Sequence, residues 1–202
     1  MKRKRRRSEG GNVLIEFALV GTFLIPLMLG TVTLGLNLSR MVQVTQVARD
    51  AGHMYARFVD FSLASNKNVL VRLAQGLGMT VDGGKGVVIM SKVTFIDHDA
   101  CAGAGLTDAE CTNLNHHVIV HRIVVGNASL KDSTFGTPAP GIMDASGNVT
   151  DYLTDYTARA TGFSSFLTLG AGEFAFVAEA FFEGAAFSLS GVSNSLYTRA
   201  FF

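Results

Sequence analysis

A stretch of 20 residues without any charge constrains this chain more than any other feature of its sequence. It runs from Phe17 to Leu36 and reads FALVGTFLIPLMLGTVTLGL. As an α-helix this stretch would be about 30 Å long, which matches the hydrocarbon core of a bilayer. The sequence therefore predicts one transmembrane helix, over residues 12–38.

Six basic residues, at positions 2–7, precede the apolar stretch. Lys and Arg beside a transmembrane helix mark its cytoplasmic end. We therefore expect a cytoplasmic leader (residues 1–11), a single pass through the inner (plasma) membrane, and a periplasmic or extracellular domain (residues 39–202). A basic run of this kind can also be a nuclear signal or a nucleic-acid-binding arm, but the apolar stretch that follows favours a membrane.

Two simpler kinds of segment compete with a functional transmembrane helix. A cleavable secretory signal fits poorly, because the apolar run is too long and lacks a small-residue cleavage site at its end. The helical pattern also continues beyond the run, through NLSRMVQVTQVARDAGHMYARF. A plain membrane anchor fits the length and the flanking charges, but it does not explain the carboxylate at Glu16.

Glu16 places a charge beside the apolar stretch, and no Lys, Arg or His occurs between Arg7 and Arg40. Ionisable groups inside a membrane segment are costly, and as a rule they are paired and functional. The other interpretation is that the Glu16 side chain simply extends to the membrane interface. If the chain is cut after Gly11, Asn12 gains an ammonium group four residues before Glu16. A processing signal therefore gives this carboxylate a partner.

The segment RRRSEGGNVLIEFALVGTFLIPLMLG resembles the processing signal of type IV prepilins, and most closely that of the TadE and TadG pseudopilins of tight-adherence pilus systems. The resemblance extends more weakly to SKVTF, VIVHRIVVGN, FAFVAEAFFEG and NSLYTRAFF. It implies a minor pseudopilin-like protein that acts in pilus assembly and thereby in cell adhesion. It also implies cleavage between Gly11 and Asn12 by a prepilin peptidase, and contacts with other pilins or pseudopilins and the Tad secretion machinery.

The resemblance gives Gly11 and Glu16 specific roles. Gly11 would keep the cleavage site extended, because glycine disfavours helix and offers no side chain to obstruct a protease. Glu16 would pair with the ammonium of Asn12 on a neighbouring subunit and so fix the stagger between helices. Removal of residues 1–11 would leave 11 basic and 15 acidic side chains. This acidic balance argues against nucleic acid as a partner.

The remaining sequence predicts an α+β fold of the pilin kind, with a long N-terminal helix followed by an antiparallel sheet. Apolar residues at helical spacing extend the helix to Phe61, and a second helix is expected over 66–75. Three strands are expected, over 84–95, 117–126 and 173–184, and the first of them should be half-buried. The apolar stripe of the extended helix consists of Val44, Val47, Ala48, Ala51, Tyr55, Phe58 and Val59.

Glycines and loop residues suggest two binding sites that their spacing does not support. Residues 83–86 read GGKG and lack the spacing of a phosphate-binding loop, so a hairpin turn is expected there. Asp144, Ser146, Asn148 and Thr150 alternate as calcium ligands can, but the glycine is misplaced and no bidentate Glu follows. The surrounding segment, 127–172, is expected to be either a variable partner-facing surface or poorly ordered.

The two cysteines, Cys101 and Cys111, enclose nine residues between two predicted strands. In an extracytoplasmic domain they are expected to form a disulfide. A metal site that uses nearby histidines is the alternative, and its spacing is weak, so we expect no metal. His117 and His121 should lie on one face of their strand, as surface histidines.

No catalytic motif is present in the sequence, and we expect neither an enzyme nor a cofactor. If the protein were an enzyme, the alternative would be a membrane-anchored hydrolase or metal enzyme. A second alternative is a single-pass adhesin or binding domain that is not part of a pilus. It would share the helix and the sheet, but it would need neither Gly11 nor Glu16.

Overall fold

The computed structural model describes residues 10–184 and 195–202. Its internal contacts divide the chain into two units, Met1–Ser39 and Arg40–Phe202, which are described separately below. The basic run at 2–7 lies outside the described residues. The architecture is α+β, with a long apolar N-terminal helix and an antiparallel sheet, as the sequence predicts.

Helix α1 (Gly10–Ala56) supplies the described part of the first unit. None of its described side chains before Val44 is buried, and large apolar side chains are exposed on every side of the helix. Within the described chain it is the one helix long and apolar enough to cross a membrane. Such an all-round apolar surface is typical of a helix whose solvent is lipid.

In the second unit, the end of α1 buries one face. The buried residues Val44, Val47, Ala48, Ala51 and Tyr55 are those that the helical spacing predicts. The expected continuation to Phe61 is wrong, because α1 ends at Ala56. Phe58 is 74% exposed and therefore does not belong to the buried stripe.

A Schellman motif ends α1. The amide of Val59 donates to the carbonyl of Met54, and the amide of Phe58 donates to that of Tyr55. The motif needs a left-handed residue between the helix and the following chain, and Phe58 takes this conformation with φ of 61°. Glycine usually occupies this position, so Phe58 stores backbone strain there.

Helix α2 (Ala64–Leu73) begins and ends two residues earlier than the sequence predicts. A short 3-10 turn (Gln75–Leu77) follows, and Gly78 closes it in the left-handed conformation. The expected turn at residues 83–86 is displaced. Strand β2 (Gly83–Gly84) pairs with β1 (Met79–Thr80), so the turn is formed by residues 81 and 82.

A four-stranded antiparallel sheet forms the centre of the second unit, in the order β4-β3-β5-β6. Its strands are β3 (Gly86–Phe95), β4 (His117–Gly126), β5 (Phe174–Phe182) and β6 (Leu196–Phe201). The first three agree with the predicted strands to within two residues at either end. Between β3 and β4 lies the short helix α3 (His98–Gly103).

One face of the sheet packs on the buried stripe of α1. The residues on this face alternate along the strands, as expected for period-two side chains. They form a single apolar cluster with α1 and α2, which includes Val88, Met90, Ile123, Val125, Phe176, Ala178, Ala180 and Phe182.

The segment 127–172 covers the other face. Its short 3-10 turns bring apolar side chains down onto the strands, where they form a second core with Val93, Ile119 and Val177. The expectations of a poorly ordered segment and of a half-buried β3 are therefore wrong, whereas a partner-facing role for the outer surface of the segment stays a prediction. Both faces of β3 are covered. The buried residues that 127–172 contributes are Phe135, Ile142, Val149, Ala158, Ala160, Phe163 and Leu169.

A β-bulge in β4 changes which face its side chains occupy. Lys92 is opposite His121 but Val93 is opposite Ile119, so Val120 is the extra residue. His121 consequently contacts Tyr55 of α1, whereas His117 contacts Phe163 in the second core. The expectation that both histidines share one face is wrong for this reason.

Phe202 closes the helix side of the domain. Its backbone pairs with that of Phe176, and its ring lies against His53 with centroids 4.4 Å apart. A Cβ atom added at Gly52 would overlap this ring. Glycine is required here because the ring and the helix backbone are in direct contact.

We expect Gly52→Ala to lower the free energy of unfolding by about 1–3 kcal/mol, because the added methyl group displaces the Phe202 ring. Gly103→Ala is the matched control, since no atom lies within 4 Å of a Cβ at that helical position. Thermal unfolding of both full-length variants in detergent, followed by circular dichroism, makes the comparison. Equal melting temperatures would contradict the proposed contact.

Candidate functional site

The predicted processing site lies where the described part of α1 begins. Gly11 and Asn12 both have helical backbone, so the extended conformation expected at Gly11 is not present. Cleavage would require the helix to unwind here. Gly11 lowers the free-energy cost of unwinding, because glycine favours the unfolded chain.

Glu16 lies one turn after Asn12 and is exposed. Within the part of the chain that the structure describes, no side chain or backbone group binds its carboxylate. Residues four apart share one face of a helix, and side chains lean toward the helix N-terminus. Its carboxylate is therefore available both to the start of its own helix and to a neighbouring helix.

The other polar side chains of this apolar segment are satisfied within the helix itself. The hydroxyl groups of Thr22, Thr31 and Thr33 donate to backbone carbonyls three or four residues earlier, at 2.7–2.9 Å. Such bonds remove the need for water and suit a hydrocarbon environment. Among the polar side chains of residues 13–36, Glu16 is therefore the one whose hydrogen bonds must come from a group outside its own helix.

A disulfide joins Cys101 of α3 to Cys111, with the two Cα atoms 5.9 Å apart. Both cysteines are buried in the second core. Asp97 caps α3 by accepting a hydrogen bond from the amide of Ala100. The disulfide is the one expected from the sequence, but the segment that it holds against the sheet is a capped helical turn, which was not expected.

The candidate calcium ligands form a hydrogen-bonded loop instead. Asp144 accepts hydrogen bonds from the amides of Ser146 and Asn148, and from the side chain of Asn148. The bonds from Asn148 hold the pKa of the Asp144 carboxyl below its usual range. Among the described residues, no group of three or more His, Cys, Asp or Glu side chains is arranged to hold a metal.

A buried polar network crosses the second core, and it was not anticipated from the sequence. Arg122 and Glu179 are 3% and 2% exposed. Ser133 lies between them, since it accepts from the guanidinium of Arg122 at 3.1 Å and donates to Glu179. The two charges are therefore coupled through one hydroxyl group.

Both charged groups in this network are fully engaged. The guanidinium of Arg122 also donates to Ser91 and to the carbonyl of Gly136. Glu179 also accepts from the amide and the hydroxyl of Thr134, and from the hydroxyl of Tyr197 at 2.7 Å. Three separate parts of the chain are thereby joined, namely the central strands, segment 127–172 and β6.

Burial shifts the acid–base behaviour of the network. It lowers the pKa of Arg122 to about 10, an effect that the nearby Glu179 carboxylate partly offsets. Burial also raises the pKa of Tyr197 to about 12. Near neutral pH Arg122 is therefore still protonated, and its guanidinium is linked to the Glu179 carboxylate through the hydroxyl of Ser133. The sequence does carry a sign of this network, because Arg122 and Glu179 each place a charge in the middle of an apolar strand.

His121 joins the helix to the sheet. Its Nδ1 accepts from the hydroxyl of Tyr55, and its Nε2 donates to the carbonyl of Ser146 at 3.0 Å. Burial lowers the pKa of His121, which favours the neutral ring and this assignment of donor and acceptor. Burial raises the pKa of Tyr55 above its ordinary value. The pair is a structural contact between α1 and β4.

We expect Glu179→Ala to lower the free energy of unfolding by about 3–5 kcal/mol, because it leaves the Arg122 cation buried without its anion. Glu183→Ala is the matched control, since Glu183 is exposed just after the same strand, and it should change stability by less than about 0.5 kcal/mol. Urea unfolding of the full-length proteins in detergent measures both. Similar midpoints for the two variants would rule out a stabilising network.

Comparison with known proteins bears on the N-terminal helix. The family model described as TadE-like protein matches residues 11–53, which is less than half of the chain. No curated protein and no solved structure matches the chain. The matched segment begins at the predicted cleavage site, includes Glu16 and the apolar stretch, and ends in the part of α1 that packs on the sheet. Over residues 11–53 this chain is therefore similar to the TadE-like proteins, which confirms the resemblance inferred from its sequence.

Proposed function

We propose that this chain is a minor pseudopilin-like membrane protein that acts in assembly of a tight-adherence pilus after processing by a prepilin peptidase. The observation that carries the proposal is the TadE-like segment, whose described apolar side chains are exposed and whose one carboxylate, Glu16, is bound by no group of the described residues. The family similarity supports a role in Tad pilus systems, and Glu16 supports helix pairing in the membrane. The proposal assigns no catalytic step to this chain.

The pairing role follows from the cost of an isolated charge in lipid. A carboxylate near the end of a membrane helix needs a cation or strong hydrogen-bond donors. Cleavage after Gly11 creates such a cation at Asn12. If the ammonium of a neighbouring subunit binds Glu16, the longitudinal offset between the two helices is fixed.

The same ammonium group can also reach Glu16 within one chain. The two positions are one helical turn apart, about 6 Å along the axis. The pair within one chain neutralises both groups when a helix is alone in the membrane. Exchange of this pair for the pair between chains would accompany assembly, so the charge need not be buried alone at any stage.

The folded domain is consistent with an extracytoplasmic location. Its disulfide is buried, and disulfides persist in oxidising compartments. The basic leader at residues 2–7 favours a cytoplasmic N-terminus. We therefore place residues 39–202 outside the cytoplasm, with the inner membrane spanned once.

The mature N-terminus should be Asn12. Intact-protein mass spectrometry, in a host with and without the cognate prepilin peptidase, measures this directly. Gly11→Leu should block processing, because a bulky side chain obstructs the residue on the carbonyl side of the cut. Gly21→Leu is the control, since it adds the same side chain to the same helix in open space.

Other masses would contradict the processing step. A chain that keeps residues 1–11 in the presence of the peptidase would be a plain membrane anchor. Loss of the entire apolar stretch would identify a secretory signal. A chain that is cut after Gly11 equally well without the peptidase would require a different protease.

Glu16→Gln should be processed and inserted normally but should assemble with its partners about tenfold less, because the neutral amide loses the ion pair. Glu16→Asp, which keeps the charge, should restore part of this loss. Cross-linking in membranes that contain the other Tad components, with Glu183→Gln as the control, measures assembly. Normal cross-linking of Glu16→Gln would contradict the pairing role, and Glu16 would then be a residue that extends to the membrane interface.

A further inference from the structure

A cleft of about 580 Å³ opens on the second unit, between the end of α1 and strands β3, β4 and β5. Its size is typical of small-ligand and peptide sites. Aromatic side chains and one cation supply its distinctive surface. The residues relevant to ligand binding are Phe58, Lys92, Tyr152, Phe174 and Phe176.

Two phenylalanines present apolar surface to solvent at this cleft. Phe58 is 74% exposed and Phe174 is 48% exposed. Each meets the ring of the buried Phe176 edge to face, with centroids 5.8 and 5.5 Å apart. Phe176 therefore supports both exposed rings from below.

The conformation of Phe58 points to a role other than stability. It occupies the left-handed position of the Schellman motif, where glycine would avoid the strain, and most of its ring gains nothing from burial. Strained residues of this kind cluster at binding sites. The side chain at this position adds exposed aromatic surface and costs stability.

Lys92 places a cation beside the same rings. Its ammonium lies 4.3 Å from the centroid of Phe174 and 5.8 Å from that of Phe176. Within the described residues no carboxylate forms an ion pair with it. Cation–π contact orients the ammonium but leaves its hydrogen-bond donors available.

Most other polar groups of the cleft are already used. Asp60 accepts from the amide and hydroxyl of Ser62, Asn148 donates to Asp144, and Thr94 donates to the carbonyl of Glu173. In the described part of the chain, the hydroxyl of Tyr152 and the ammonium of Lys92 are the lining donors without a hydrogen-bond acceptor. Asp60 is fully exposed, so solvent screens its repulsion of an anion.

We propose that this cleft binds a short peptide segment of a partner protein in which a carboxylate side chain adjoins an aromatic or large aliphatic side chain. The apolar side chain packs on Phe58 and Phe174, and the carboxylate binds the ammonium of Lys92. Charge complementarity selects an acidic segment, since Lys92 is the cation that lines the cleft. This inference is independent of the proposed role of the N-terminal helix in pilus assembly.

Two matched peptides test the charge and the ring together. The probe is N-acetyl-(4-fluoro-Phe)-Glu-amide, and its neutral partner carries Gln in place of Glu. Fluorine NMR line broadening with the full-length protein in nanodiscs, compared with empty nanodiscs, gives the dissociation constants. We expect the Glu peptide to bind about tenfold more tightly than the Gln peptide, as is typical of a hydrogen bond to a charged group.

Two variants separate the contributions of the cation and the ring. Lys92→Met keeps the length of the side chain and should weaken binding of the Glu peptide about tenfold, whereas the exposed Lys131→Met should leave it unchanged. Phe58→Gly should weaken binding of both peptides while raising the melting temperature, because glycine relieves the strained backbone. A loss of binding together with a gain in stability cannot result from unfolding.

Several results would overturn this proposal. They are no binding of the Glu peptide to the wild-type protein, equal affinities for the two peptides, and an equal loss in Lys131→Met. Unchanged binding in Phe58→Gly would show that the Phe58 ring does not contact the peptide. If a neutral sugar, methyl β-glucoside, competes with the Glu peptide as effectively as unlabelled Glu peptide does, the cleft is a saccharide site instead.

Discussion

Burial of both faces of one four-stranded sheet is the constraint on which the structure of the second unit depends. The end of α1 and helix α2 cover one face, and segment 127–172 covers the other. A sheet buried on both sides has no water to solvate a charge at mid-strand. Arg122 and Glu179 are therefore compatible with the fold only because Ser133, Ser91, Thr134 and Tyr197 satisfy them within the protein.

Helix α1 meets two environments along its length, and its sequence changes accordingly. Up to Val42 it exposes apolar side chains in all directions, with threonine hydroxyls bonded back to its own carbonyls. From Val44 onward one stripe is buried and, apart from the half-buried Met54, the remaining positions are polar or small. The TadE-like similarity spans this change, so it describes a helix together with its docking face, not an anchor alone.

Periodicity in the sequence was sufficient to predict α1 apart from its end, α2, and three of the four strands of the main sheet to within two residues, but not the short helix α3. The disulfide was expected because the two cysteines lie close together in a domain placed outside the cytoplasm. Each of these depends on local pattern, or on a loop too short to allow alternatives. The opposite placement of His117 and His121 could not be predicted, because one bulged residue at Val120 reverses the alternation without any distinctive local sequence. The position of a bulge is set by contacts with neighbouring strands.

Segment 127–172 shows a different limit of sequence analysis. Its composition, rich in Gly, Ser, Thr, Asp and Asn, is typical of an irregular surface loop, and its apolar residues have no regular spacing. They nevertheless form about half of the second core, and three of them, Ile142, Ala158 and Phe163, are presented by short 3-10 turns. The cleft beside Phe58 could not be anticipated either, since its lining residues come from five separate parts of the chain.

The contact between Phe202 and Gly52 has a consequence for the order in which this protein can fold. The helix at residue 52 acquires its final packing partner only after residues 196–202 have been synthesised and have paired with β5. Phe201 likewise lies near Phe135 and Phe163 of the second core. Contacts across such sequence separation form slowly, and the apolar surfaces that await them are prone to aggregate. In a nascent chain these apolar surfaces therefore stay without their packing partners until residues 196–202 have been synthesised.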